Sequence, residues 1–185
     1  MFNRRSFTTA LIATMVLPGA AFAQGQMPSA ARIERQLDAS PRKRIAPNQR
    51  VTVQEFKRRA DLRRAAPSID IQSINFNFGS ADISASQYHK VEAIADAMKR
   101  ILRRDRRASF LIEGHTDAVG SNSSNLLLSQ RRAATLRQLL IRRYNVPSRA
   151  LETVGYGEEF LLVPTQNENW QNRRVTLRRI DSFIR

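Results

Sequence analysis

The sequence contains no cysteine. That excludes a disulfide framework, a thiolate zinc site, a cysteine nucleophile and a lipidated cysteine. Two histidines, His89 and His115, are too few for a histidine-rich metal site, and neither a metal nor a cofactor is expected. Apolar runs are short of the about 20 residues a membrane helix needs. The repeated ten-residue alternation of a membrane barrel is missing too. Carboxylates are scarce: 16 Asp and Glu stand against 31 Lys and Arg, for a formal net charge of +15 and a pI near 11.6. Such a balance suits an anionic surrounding, whether nucleic acid, an anionic membrane surface or a cell wall. What is present, 42% hydrophobic and 25% charged residues in 185, suffices for one ordinary domain with extensions.

The first 23 residues read as an export signal. Arg4 and Arg5 precede the apolar run from Ala10 to Leu17, Pro18 and Gly19 break it, and Ala21-Phe22-Ala23 is a small-x-small cleavage site. Arg4-Arg5-Ser6-Phe7 also resembles a twin-arginine signal, so export after folding and ordinary secretion are both open. Either route leads to the periplasm or beyond and counts against a nucleic-acid partner.

Residues 24–68 carry eleven Lys and Arg against four Asp and Glu, with Pro28, Pro41, Pro47 and Pro67 and few large apolar side chains. This composition predicts a basic linker. Inside it, Thr52-Val53-Gln54-Glu55 is a capping box that predicts a helix over 52–66, stopped by Pro67. Its thin apolar face (Val53, Phe56, Ala60 and Leu62 or Arg63) suggests docking on the domain or on a partner. The segment is therefore the candidate contact with an envelope membrane protein, or with anionic polymer or lipid headgroups.

The domain is expected at 69–185. Ile69 to Phe78 alternates with period two and predicts a strand with a slip of phase near Ser73. Val91, Ile94, Ala95, Met98, Ile101 and Leu102 fall on one helical stripe. Phe110 to Ile112 predicts a second strand, and a helix beginning between Ser121 and Asn125 follows. Leu151–Tyr156 and Arg173–Ile180 supply two more strands. The order strand-helix-strand-helix-strand-strand predicts an α+β fold, one mixed sheet with helices packed on one face.

Between the second strand and the second helix lies a polar loop, GHTDAVG (Gly114 to Gly120), and then N-x-x-L-S-x-x-R-A from Asn125 to Ala133. With GYGE at Gly155–Glu158, NRRV at Asn172–Val175 and the upstream INFNFGSADI, these motifs occur in register. Together they resemble the peptidoglycan-binding domain shared by outer membrane protein A, the peptidoglycan-associated lipoprotein and the flagellar stator anchor. The family often has Asp where this chain has Asn77. The resemblance spans roughly residues 69 to 181. It implies an anchor, not an enzyme, that holds diaminopimelate-type stem peptides of a Gram-negative wall, in the periplasm or at the periphery of the outer membrane. By the motif alignment Asp117 takes the ammonium and Arg132, not Arg131, takes the carboxylate. Thr116, Gly120 and Asn125 shape the loop or hydrogen-bond.

Taken singly, Asp117 reads as a cap of a helix or turn, and Arg132 as a surface arginine near one end of its helix. Their joint place within four motifs favours the ligand pair, since an acid and a guanidinium held apart can grip a zwitterion. His115 reads as loop support. Two other functions remain conceivable from the residues: a wall-metabolising hydrolase using Glu113 and Asp117, and a generic basic adhesive for anionic polymer. Paired catalytic acids are usually carried on separate elements, whereas these two are four residues apart.

Overall fold

The computed structural model describes residues 26–72, 74, 76 and 80–185. The expected export signal lies outside these residues, as do Asn77, Phe78 and Gly79. Four strands form one mixed sheet: β1 (Ser68–Ile71), β2 (Phe110–Gly114), β3 (Leu151–Gly155) and β4 (Val175–Arg179). The spatial order is β1-β4-β2-β3, with β4 antiparallel to both neighbours and β2 parallel to β3. The first strand is shorter than its alternation suggests. It pairs with β4 only as far as Ile71, opposite Val175, where β4 begins, and beyond that point Ile74 and Phe76 lie outside any strand.

Five helices accompany the sheet: α1 (Ala30–Leu37), α2 (Val53–Arg58), α3 (Ala60–Ala65), α4 (Tyr88–Arg104) and α5 (Asn122–Arg142). The apolar stripe of α4 is buried throughout, and it meets Phe110, Ile112, Val175 and Leu177 from one face of the sheet, with Ala133, Leu136 and Leu140 of α5. Gly114 and Gly155 bring α5 close. A Cβ at Gly114 would stand 2.2 Å from the Ser129 carbonyl oxygen, and one at Gly155 would stand 2.3 Å from the Gln130 nitrogen. The strand-helix-strand-helix-strand-strand order and the mixed sheet are as the periodicities predict.

The expected linker behaves otherwise. From Gln26 onward it is folded against the domain, because its few apolar residues are spaced to be buried and its acids find arginines far along the chain. Ile33 and Leu37, one helical turn apart, have no exposed surface and join the α4 core. On the same helix Glu34 accepts from Arg104 at 2.5 Å, and Asp38 accepts from Arg104 and, at 2.6 Å, from Arg179.

The capping box at Thr52 and Glu55 is formed. The helix predicted over 52–66 is nevertheless two pieces, broken at Arg59, whose backbone is extended (φ −92°, ψ 93°) and whose guanidinium turns to Asp61. The break lets Phe56 and Leu62 both reach the sheet's second face. There they pack with Leu111, Ile180 and Phe183, the Phe56 and Phe183 rings 5.7 Å apart. Thus α2 and α3 cover the face that α1, α4 and α5 leave open, and β2 is buried at all five positions. A parallel bridge from Val51 to Ile184, with Arg185 donating to the Val51 carbonyl, fastens this cover to the C-terminus.

Candidate functional site

The carboxyl-side end of β2 opens into the polar loop. His115 donates its backbone N–H to the Arg174 carbonyl and Thr116 to that of Gly157, so the loop is pinned to β4 on one side and to the β3 exit on the other. Gly120 turns the chain with φ +104°, a conformation that side chains resist. Ser121 caps α5, its hydroxyl accepting from the Ser124 N–H at 3.2 Å, so Asp117 is not the helix cap. Asn125, in the first turn of α5, ties the loop together. Its amide donates to the carbonyls of Asp117 and Val119 and, at 2.6 Å, to the Glu158 carboxylate.

Asp117 and Arg132 are both mostly buried and come from different elements; Arg132 lines a cleft, whereas Asp117 is joined to it through Arg173. Arg132 sits at the middle of α5, not near its end. Its Nε donates to the Ser80 carbonyl at 3.1 Å and its guanidinium lies 4.8 Å from the Phe76 ring centroid. Burial lowers its pKa and the Arg173 charge adds to this, while Asp117 opposes both. The Asp117 carboxylate is held by Arg173, whose Nη1 donates to it at 2.8 Å and to Glu168 at 2.6 Å. Sequence reasoning gives Asp117 an ammonium as its partner; in the structure the partner of its carboxylate is the Arg173 guanidinium.

A cleft of about 150 Å³ lies beside this pair, lined by Gln72, Ile74 and Phe76, by His115 and Trp170, and by Arg132, Arg173 and Arg174. Three guanidiniums and no carboxylate line it. Arg174 is steadied by Asp70 at 3.3 Å and by the Phe160 carbonyl at 2.9 Å. Asn172 pins the loop that carries Trp170, accepting from the N–H groups of Leu162 and Val163. The NRRV motif could have revealed the roles of Arg173 and Arg174. Phe76 belongs to the INFNFGSADI motif, whereas Trp170 and Gln72 carry no spacing that marks them. Thr116 reaches no hydrogen-bond partner through its hydroxyl, and both ring nitrogens of buried His115 lack one.

Beneath the loop, Glu113 is enclosed within the second face. It accepts from Arg178 at 2.9 and 3.0 Å and from Arg63 of α3 at 3.1 Å, with His115 Nε2 3.8 Å away. Burial pulls the Glu113 carboxyl up, but His115, Arg178 and Arg63 outweigh it and hold the carboxyl at about 2. Burial also lowers the His115 pKa, keeping the ring neutral. A carboxyl so held carries no proton to donate near neutral pH, so Glu113 is unsuited to general acid work. The Arg63 guanidinium packs against both the Tyr156 and Phe160 rings, 3.9 and 4.0 Å from their centroids. Among the described residues no group of three His, Asp or Glu could hold a metal ion.

Comparison with known proteins agrees with this architecture. Residues 75–175 match the OmpA family. The chain is 35% identical over 111 residues to outer membrane porin F of Pseudomonas aeruginosa, covering 60% of this chain and 30% of the porin. It is 43% identical over 76 residues to the peptidoglycan-associated lipoprotein of Brucella melitensis, 40% of this chain and 45% of the lipoprotein. It therefore spans under a third of the porin's length and under half of the lipoprotein's. In fold it is similar to the periplasmic domain of MotB from Helicobacter pylori, with a TM-score of 0.51 at 21% identity, covering 60% of this chain and 74% of that one.

Proposed function

We propose, from the premise that this chain belongs to the OmpA family, that it is a non-enzymatic anchor of the cell envelope that binds peptidoglycan. The finer reading is that Asp117 takes the ammonium and Arg132 the carboxylate of the free end of diaminopimelate in the stem peptide. Thr116, Gly120 and Asn125 hold the loop in shape. The observation that carries it is the Asp117–Arg173 ion pair at the mouth of a guanidinium-lined cleft. An acid already occupied by a cation, beside Arg132, which has no ion pair among the described residues, is matched by a ligand bearing one ammonium and at least one carboxylate. The relative named a peptidoglycan-associated lipoprotein supports the same class of ligand. Glu113, enclosed and held ionised by Arg63 and Arg178, counts against its use as the general acid of a hydrolase. The proposed location is the periplasm, reached through the signal expected at residues 1–23. No described helix is long and apolar enough to cross a membrane.

The test is retention on purified diaminopimelate-type sacculi, with Asp117→Asn, Arg132→Lys and the two alanine variants beside the parent chain. Each variant is expected to lose at least tenfold in affinity, roughly the ~1.4 kcal/mol or more of one charge-assisted bond. Free diaminopimelate should compete. Retention that survives all four variants and yields only to salt would leave a charged adhesive protein. Melting curves of the variants separate loss of ligand contact from loss of fold.

A further inference from the structure

We propose that the end of the sheet opposite the ligand cleft is a second binding site, for the phosphate groups of an anionic lipid surface. β2 and β3 run parallel from this end towards the cleft, and Arg106 and Arg149 lie in the connections that lead into them. With Lys99 and Arg103 of α4 they line an open depression of about 400 Å³, floored by Leu102 and Pro147 and flanked by Asn145. No carboxylate lines it. Lys99 has Asp96 at 3.4 Å on its own helix. Arg103, Arg106 and Arg149 are exposed, and their guanidiniums have no ion pair or hydrogen bond among the described residues. Asp105, the nearest acid in sequence, is engaged by Arg179 at 2.6 Å.

Cations at a helix C-terminus are ordinarily accounted for by the helix dipole. That explains Arg103 but not Arg106 or Arg149, which lie beyond the helix ends. The positions are also fixed. Arg137 donates to the Ser148 carbonyl at 3.2 Å and to the Leu151 carbonyl at 3.0 Å, clamping the short turn that carries Arg149. Asn145, with φ 55°, turns the chain out of α5, and Val146 donates back to the Leu140 carbonyl at 3.0 Å. Three guanidiniums without an acid, beside an ammonium paired with Asp96 on its own helix, match phosphate oxygens, which accept forked bonds.

A lipid surface is favoured over a soluble phosphate because the positive charge continues sideways. Arg50, Arg107 and Arg185 border a neighbouring open depression of about 470 Å³. Its acids are Asp105 and Asp181, both tied to Arg179. One phosphate cannot span two depressions, whereas a headgroup array presents a phosphate to each. Leu102 and Pro147 offer an apolar floor to the carbon portion of a headgroup.

The test uses residues 24–185, which hold every described element, and co-sedimentation with vesicles of phosphatidylcholine alone or with 30% phosphatidylglycerol, a composition chosen to be roughly that of a charged bilayer surface. The variant Arg103→Ala/Arg106→Ala/Arg149→Ala is compared with Arg35→Ala/Arg58→Ala/Arg64→Ala, which removes equal charge from exposed arginines elsewhere. Expected are binding to the anionic vesicles only, a loss of tenfold or more in the first variant, and a change within about twofold in the control. Equal losses in both would reduce the effect to net charge and overturn the site. Absence of vesicle binding, with inorganic phosphate shifting the resonances of Arg103, Arg106 and Arg149, would overturn the lipid assignment. Retention on sacculi by the first variant should match the parent chain, so this proposal and the peptidoglycan reading fail separately.

Discussion

At the scale of single residues, the enclosed Glu113 sets the acid tolerance of the fold. Its folded value of about 2 against the ordinary 4.5 means the stabilisation is complete above pH 4.5 and is lost as pH falls towards 2. The magnitude is about 3 kcal/mol by linkage. His115 works in the same direction earlier, since a base whose folded pKa is lowered loses stability as pH drops below its ordinary 6.5. Denaturant midpoints measured from pH 7 to 2 should therefore fall gently at first and steeply below 4.5. Glu113→Gln should remove the steep limb and cost about 3 kcal/mol at pH 7, because Arg63 and Arg178 are then left buried without their anion. A mutant as stable as the parent at pH 7 would show the ion cluster to be dispensable. None of this is legible in the sequence. Arg63 looks like one more charge in a solvated run, and its partner lies fifty residues away.

At the scale of elements, the contact of α5 with β2 and β3 depends on two glycines. Gly114→Ala would drive a methyl into the Ser129 backbone and should cost about 3 kcal/mol in denaturant stability. It should also weaken ligand binding, because the loop bearing Asp117 begins one residue later; binding unchanged in a destabilised mutant would mean that the loop is positioned independently of the helix. The sequence disclosed these elements well where the period was long and clean. Val91, Ile94, Ala95, Met98, Ile101 and Leu102 are all buried as their stripe predicts. It misled where few residues carried the signal. Ile33, Leu37 and Phe56 are isolated among charges, and only the tertiary partner surface reveals that each is fully enclosed. At the site, the loop and the α5 motif were legible as ordered patterns. The Arg173 bridge was not, because an ion pair across 56 residues leaves no local trace.

At the scale of the whole molecule, residues 26–66 form part of the fold rather than a tether. Phe56→Ala should lower stability by about 3–5 kcal/mol, the usual cost of emptying a buried aromatic site. Removing residues 24–66 should expose Leu111, Ile180 and Phe183 and raise the binding of a hydrophobic dye, a result that a mere linker would not give. The basic excess of the segment is real, but it is shared between exposed positions of the helices and of the connections between them, while Arg63 is spent inward on Glu113.

The strand order carries a consequence in time. β4 is the last strand of the chain, yet it lies between β1 and β2, and the final residues Phe183 to Arg185 close over Val51. Until β4 is in place, β1 has no strand to pair with and the sheet that the N-terminal helices cover is incomplete. Contacts that join the two ends of a chain are slow to form. The pairing that completes the sheet on the β1 side therefore joins segments far apart in sequence, and should be among the later contacts to form.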